Sequence, residues 1–310
     1  MSDPFHLPRR ALSVLNGAIG GRLDAAGVGL PTTAHAYPGG PPWAHAAIAA
    51  TVHGQGHREL CVMVHGLMGD DRAWRAAEHD LGLGLARARG VLPVYVRYNS
   101  GLDLRSCARR VDGWLRGLDA QLDPDVRVNV VAHSLGGLVS LLAMSQQDAR
   151  WRDRVARVVL LGVPHRGAPL ARAAAWTEQS LNAREQGWAR LLSEVWLLRA
   201  ESIADLAQGL DQVDVRLPHG SRTFVAAGVL ASPPNVQPDR TARTTQSAAL
   251  AGLTETLGDA LVDLDSATRT FGDAHVEVFG HTGHQRLMHA PQVEAAVVRW
   301  WSDDRSAVST

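Results

Sequence analysis

The sequence predicts an α/β fold with a mostly parallel sheet, on three observations. Apolar runs at Glu59–Val64, Val91–Tyr98, Val126–Ala132 and Val155–Leu161 recur between segments of helical periodicity, a spacing that implies right-handed strand–helix–strand crossovers. The runs are continuous and do not alternate with polar residues, as expected where helices cover both faces of a sheet. The run Val128–Ala132 also stops at His133-Ser134, two glycines follow at 136 and 137, and an apolar helical pattern begins at once.

At 310 residues the chain can bury a substantial core, in one large domain or two small ones. It is 45% hydrophobic and 20% charged, the balance of a soluble globular protein. Its 31 basic and 31 acidic residues cancel, and every basic residue is arginine. With no basic excess, a nucleic-acid partner is not expected. Cys61 lies inside an apolar run and reads as a small buried hydrophobe, and no Cys/His spacing suggests a metal site. Met1–Arg10 lacks the basic and apolar regions of a secretory signal, and no run is long enough to span a membrane. The expectation is a cytoplasmic protein without stable membrane insertion; nothing in the sequence sets its oligomeric state.

Taken in order, residues 1–57 form an extension expected to pack on the core, with a helix near Ala11–Leu23, a Pro/Gly-rich loop from Pro31 to Pro42 and an early strand over Trp43–Val52. The first part of the core spans 58–169. Its strand at Glu59–Val64 ends in His65-Gly66-Leu67-Met68-Gly69-Asp70, and a helical pattern runs through Trp74 to about Arg89. Further helices are expected over Leu104–Leu122 and Leu135–Ser145. The strand rhythm then breaks. Residues 170–217 are helical in pattern, carry Trp176, Trp188 and Trp196, and form a candidate lid over the carboxyl ends of the strands, where ligands bind in open α/β sheets. The same tryptophans would equally suit a plain helical packing layer. The second part of the core, 218–310, resumes with a strand at Arg222–Leu230, a polar loop at Ser232–Thr245, a last strand at His275–Phe279 and a final helix from Pro291 to Trp301.

The strand-to-helix turn at Ser134 is the candidate reactive centre. A sharp turn of this kind lifts a serine hydroxyl above the sheet and needs small flanking residues, supplied here by Ala132 and Gly136. A neutral hydroxyl is a weak nucleophile, so it needs a base in reach and an acid to orient that base. In this topology the chain order is Ser, then Asp or Glu, then His. His284 and His281 share the loop after the last strand, and Asp259, Asp263, Asp265 and Asp273 precede it. Asp259 is the preferred acid, in a Gly-Asp-small-apolar-Val run. The Leu135 amide, entering a helix N-terminus, is one candidate oxyanion donor, and the Leu67 amide in the loop after the first core strand is the other. Gly66 would allow close backbone approach there. His65 is expected to be structural, and His133 a packing or site-wall residue.

Several segments together resemble the α/β-hydrolases of the bacterial lipase/esterase type, including relatives of inositol deacylases. Val64-His65-Gly66-Leu67-Met68-Gly69 resembles their His-Gly oxyanion loop. Val163-Pro164-His165-Arg166-Gly167-Ala168-Pro169 resembles a Thr-Pro-His-x-Gly-Ser/Ala-Pro segment, with Val in place of Thr. Gly258-Asp259-Ala260-Leu261-Val262 is similar to the segment that carries their catalytic aspartate. His284-Gln285-Arg286-Leu287-Met288 with Pro291 and Val293 is similar to the run that starts at their catalytic histidine, which favours His284 over His281. The turn departs from Gly-x-Ser-x-Gly by one methyl group, at Ala132. The resemblance spans about 58–301 and implies an α/β-hydrolase fold with a helical cap.

It further implies a serine hydrolase acting on a small-molecule or lipid ester through Ser134, His284 and Asp259, with no cofactor or metal required. An acyltransferase or thioesterase would use the same residues. A binding protein on the same fold remains the alternative of a different class. A lipase acting at a membrane surface would want a basic amphipathic face, which the chain lacks.

Overall fold

The computed structural model describes residues 9–76, 79–146, 150–168, 205, 208–210, 215–230, 259, 261–268 and 274–302. In chain order its elements are α1 (Arg9–Ala25), β1 (Thr33–His35), α2 (His45–Gly54), β2 (Glu59–Val64), the two-residue strands β3 (Arg75–Ala76) and β4 (His79–Asp80), α3 (Leu81–Arg89), β5 (Leu92–Arg97), α4 (Leu104–Asp119), β6 (Arg127–His133), α5 (Leu135–Met144), β7 (Val155–Leu161), β8 (Arg222–Gly228), α6 (Leu264–Thr268), β9 (His275–Phe279) and α7 (Pro291–Ser302).

Among the described residues the main sheet has seven strands in the order β1-β5-β2-β6-β7-β8-β9. Every neighbouring pair is parallel except the edge strand β1, which runs antiparallel to β5 with Thr33 opposite Arg97. The expected α/β class and mostly parallel sheet are therefore what the chain forms. From β2 the sheet grows to one side through β5 and to the other through β6, so its direction reverses at β2. Ligands in open α/β sheets bind beside such a reversal, at the carboxyl ends of the strands.

Successive residues of each strand face opposite sides of the sheet. Leu60, Val62 and Val64 enter one apolar layer with α4 and α5, and Cys61 and Met63 enter the other with α3 and α7. Both cysteines are free and buried. Burying a Val or Leu side chain contributes roughly 1.5–3 kcal/mol. Two such layers leave ample room for the roughly 1–3 kcal/mol of one strained residue, which matters at Ser134.

Three expectations fail. Within the loop expected over Pro31–Pro42, Thr33–His35 form the edge strand β1, paired with β5. Trp43–Val52 is no strand: residues 45–54 form α2, an alanine-rich segment whose buried Ile48 and Val52 are one helical turn apart. The helix expected from Trp74 to Arg89 is interrupted. A 3₁₀ turn at Asp71–Trp74 leads into β3 and β4, and α3 starts afresh at Leu81, where the Asp80 carboxylate accepts from the Leu83 amide at 3.0 Å. The candidate lid with Trp176, Trp188 and Trp196 lies outside the described residues, apart from short stretches near its end, as do the loop at 232–245 and Asp273.

Candidate active site

Ser134 stands between β6 and α5 at φ 53° and ψ −127°. Positive φ is uncommon for any residue with a Cβ, and an outlier that persists is held by its surroundings. Here the holding is close. The Ser134 amide donates to the Leu161 carbonyl at 3.0 Å, tying the turn to the end of β7. A Cβ on Gly136 would lie 2.3 Å from the His65 carbonyl oxygen, and one on Gly137 would lie 2.2 Å from a Val163 methyl. These glycines let α5 leave the sheet at the steep angle the turn requires. The Leu135 amide lies at the first position of α5, a buried helix N-terminus.

The loop after β2 abuts the serine. A Cβ on Gly66 would come within 3.0 Å of Ser134 Cβ and 3.1 Å of His133 Nδ1. His65 is fully buried and structural in its contacts. Its Nδ1–H donates to the Gly66 carbonyl at 2.8 Å, its Nε2 accepts from the Tyr98 amide at 3.3 Å, and its ring stacks on Tyr98 at 4.5 Å. An acceptor at one nitrogen and a donor at the other define a neutral ring, and burial accordingly pulls its pKa down. Leu67 is buried at the head of this loop.

Asp259 and His284 meet in a direct side-chain contact. His284 Nδ1–H donates to Asp259 Oδ2 at 2.7 Å, with both side chains almost fully buried. Asp259 Oδ1 accepts from the amides of Leu261 and Val262 at 3.0 and 2.8 Å, and the His284 amide donates to the Asp259 carbonyl at 3.0 Å. Three backbone contacts thus fix the pair. With its proton on Nδ1, His284 presents Nε2 as the basic atom. The pair is joined to the serine turn through Leu161-Gly162: Leu161 takes the Ser134 amide, and a Cβ on Gly162 would sit 3.1 Å from Asp259 Oδ2 and 3.2 Å from His284 Nδ1. Gly162 itself has φ 56°, so glycine there answers both a conformational and a steric demand.

His133 supplies a second link. Its Nε2–H donates to the His284 carbonyl at 3.0 Å, and the two rings lie 4.6 Å apart. Burial, then the neighbouring His284, pushes the His133 pKa well below the usual imidazole value, so it stays neutral. Of the other candidates, Asp265 pairs with Arg166, and His281 is an exposed residue at φ 51°. Sequence reasoning did not single out Gly162, whose only signal was a glycine at a strand end. Among the described residues no group of three His, Cys, Asp or Glu side chains gathers as a metal site would require.

The family model described as "Alpha/beta hydrolase family" matches residues 61–300, most of the chain. The chain belongs to the alpha/beta hydrolase family. Its fold is similar to that of the Bacillus licheniformis lipase BlEst2 in mature form, at 19% identity and a TM-score of 0.57, covering 88% of this chain and 99% of that one. The propeptide form of the same lipase matches at 20% identity and a TM-score of 0.56, over 87% of this chain and 54% of that one. At such identities the likeness concerns the fold. Within this hydrolase family match fall Ser134, Asp259, His284 and the 65–70 loop, whereas α1, β1 and α2 lie outside it. No helix among the described residues is long and apolar enough to cross a membrane.

Proposed function

We propose that this alpha/beta hydrolase cleaves carboxylic esters through an acyl-enzyme on Ser134. The observation that carries the reading is the buried 2.7 Å bond between His284 Nδ1 and Asp259 Oδ2, joined through Gly162 to a serine held at positive φ. His284 Nε2 takes the hydroxyl proton as Ser134 Oγ attacks the ester carbonyl carbon. Asp259 keeps the ring in the right tautomer and stabilises the imidazolium. The tetrahedral oxyanion receives the amides of Leu135 and Leu67, each such donor being worth roughly 3–4 kcal/mol of barrier. Collapse expels the alkoxide, which leaves as the alcohol with the proton from His284. Water then attacks the acyl-serine, its proton passing to His284. The second collapse releases the carboxylic acid and returns the proton to Ser134.

A series of p-nitrophenyl esters from short to long acyl chains, assayed with wild type and Ser134→Ala, tests the proposal. Turnover that is lost in the variant is expected, with a chain-length optimum that sizes the acyl site. Equal turnover by both proteins, or none by folded wild type across the series, would overturn it. An acyltransferase or thioesterase would show itself by preferring an added alcohol to water as acceptor, or a thioester to the matching ester.

A further inference from the structure

The helix α1 precedes the family match, and its contacts converge on one loop of the site. Met68, directly after Leu67, adopts φ 57°, a conformation a long side chain rarely takes and one that neighbours must enforce. Three of those neighbours are visible. The Met68 amide donates to Ser100 Oγ at 3.0 Å. The Gly69 amide donates to the Gly66 carbonyl at 3.1 Å. The third is α1 itself: a Cβ on Gly17 would lie 2.3 Å from Met68 Cγ, 2.9 Å from its Cα and 3.0 Å from its N, so the helix backbone rests on the Met68 backbone.

One turn earlier on the same face, Ser13 Oγ donates to Asp70 Oδ2 at 2.6 Å. Asp70 also accepts from the Arg72 amide at 2.9 Å and pairs with the Arg72 guanidinium. Burial would raise the Asp70 carboxyl, but the bonds from Arg72 and Ser13 outweigh it and bring the pKa down to about 2. Ser13 and Gly17 therefore grip the two ends of the Met68–Asp70 turn. Farther along, Asn99 Nδ2 donates to the Gly20 carbonyl at 3.1 Å, and a Cβ on Gly101 would lie 2.0 Å from the Asn16 carbonyl oxygen. That 99–101 loop carries Ser100, so α1 braces both the oxyanion loop and the side chain that bonds it. The helix departs from helical geometry at Ile19, next to Gly20, where it passes this loop.

We infer that α1 is a positioning element of the active site: through Ser13 and Gly17 it holds Met68 in its left-handed conformation and so aims the Leu67 amide at the developing oxyanion. The inference rests on the reading of Leu67 as an oxyanion donor. The geometry distinguishes it from simple core packing, because Gly17 abuts the Met68 backbone as well as its side chain and Ser13 holds Asp70 by a hydrogen bond.

The test uses the full-length chain with Ser13→Ala, Ser13→Thr, Gly17→Ala and the double variant Gly17→Ala/Met68→Gly. Two quantities are read: amide hydrogen exchange over residues 66–70, and kcat and KM for a p-nitrophenyl ester. Gly17→Ala should speed exchange in this loop and lower kcat by roughly 10²-fold, the size of losing one oxyanion donor, with KM little changed. Met68→Gly, which removes the obstructing Cγ and the need for enforced positive φ but leaves the contact with the backbone of residue 68, should restore part of that loss. Ser13→Ala should act in the same direction more weakly, and Ser13→Thr, which keeps the hydroxyl, should resemble wild type. Unchanged exchange in folded Ser13→Ala and Gly17→Ala would overturn the inference. So would faster exchange with unaltered kcat in an enzyme that Ser134→Ala inactivates. If wild type and Ser134→Ala turn over alike, the proposed function has failed, and the exchange result alone decides whether α1 holds the loop.

Discussion

One face of the central strands carries polar groups at both ends, and the two ends differ in kind. Asn129, Val131 and His133 share a face of β6, beside Arg157, Val159 and Leu161 of β7. Asn129 and His133 are roughly 13 Å apart along the strand. At the amino end, Asn129 Nδ2 donates to Glu59 Oε2 at 2.9 Å, Arg157 pairs with Glu59 at 3.2 Å, and Trp301 Nε1 donates to Glu59 Oε2 at 3.1 Å. Arg157 also donates to the Trp301 carbonyl and lies over the Trp301 ring. Opposite charges meet there, and the network fastens α7 to the sheet. At the carboxyl end the histidines His65 and His133 are kept neutral by burial, and Ser134 sits at positive φ. One end ties elements together by charge, and the other holds a strained residue where the proposed chemistry takes place.

Variants at the two ends should therefore separate activity from stability. Ser134→Ala should cost the most activity, roughly 10⁴-fold or more in kcat, while its Tm stays close to wild type. Asp259→Asn keeps the two amide contacts to Oδ1 but loses the acceptor that fixes the His284 tautomer, and kcat should fall roughly 10³–10⁴-fold. Arg157→Leu should do the converse. It leaves Glu59 partly buried without its cation, so urea unfolding should show a loss of about 2–4 kcal/mol, the upper part of the range applying to full burial, with kcat unchanged at a temperature where the variant is folded.

Ser134→Gly sharpens the contrast further. It removes the nucleophile and the φ strain together, so an inactive protein should be more stable by about 1 kcal/mol, the relief of 1–3 kcal/mol being partly offset by the added entropy of the unfolded glycine. A fall in Tm for Ser134→Gly would show that the turn is not strained. The smallest effect concerns pH. His133 and His65 resist protonation when folded but take it up in the unfolded chain below about pH 6.5. In that window the unfolded state binds more protons, so Tm should fall on acidification from about pH 6.5 downward. His133→Gln, which removes one of these groups, should make Tm against pH less steep.

Apart from the three-residue edge strand β1, the main sheet was legible in the sequence because its signals are local. Each apolar run from Glu59–Val64 to His275–Phe279 carries its own strand character, and the small residues around Ser134 mark a turn. Trp43–Val52 misled because alanines and three β-branched residues fit either period over so short a stretch, and only burial of Ile48 and Val52 on one side settles it. In the candidate site, Ser134, Asp259 and His284 stood out by motif, and the structure brings the latter two into hydrogen-bond contact. What sequence could not give are contacts made by backbone atoms across long separations. The His133–His284 carbonyl bond spans 151 positions, and the seats of Gly162 and Gly17 are defined by neighbours far along the chain. A glycine announces that something comes close, but not what. Nor does Asp70 reveal from the sequence that Ser13, 57 residues earlier, is its partner.

The most direct test of the central claim is covalent labelling with a fluorophosphonate, mapped by peptide mass spectrometry. The wild-type protein should carry a single adduct on Ser134. Ser134→Ala should carry none, Asp259→Asn should label far more slowly, and Arg157→Leu should label at the wild-type rate. An adduct on another residue, or no adduct on folded wild type, would contradict the assignment of Ser134 as the activated nucleophile.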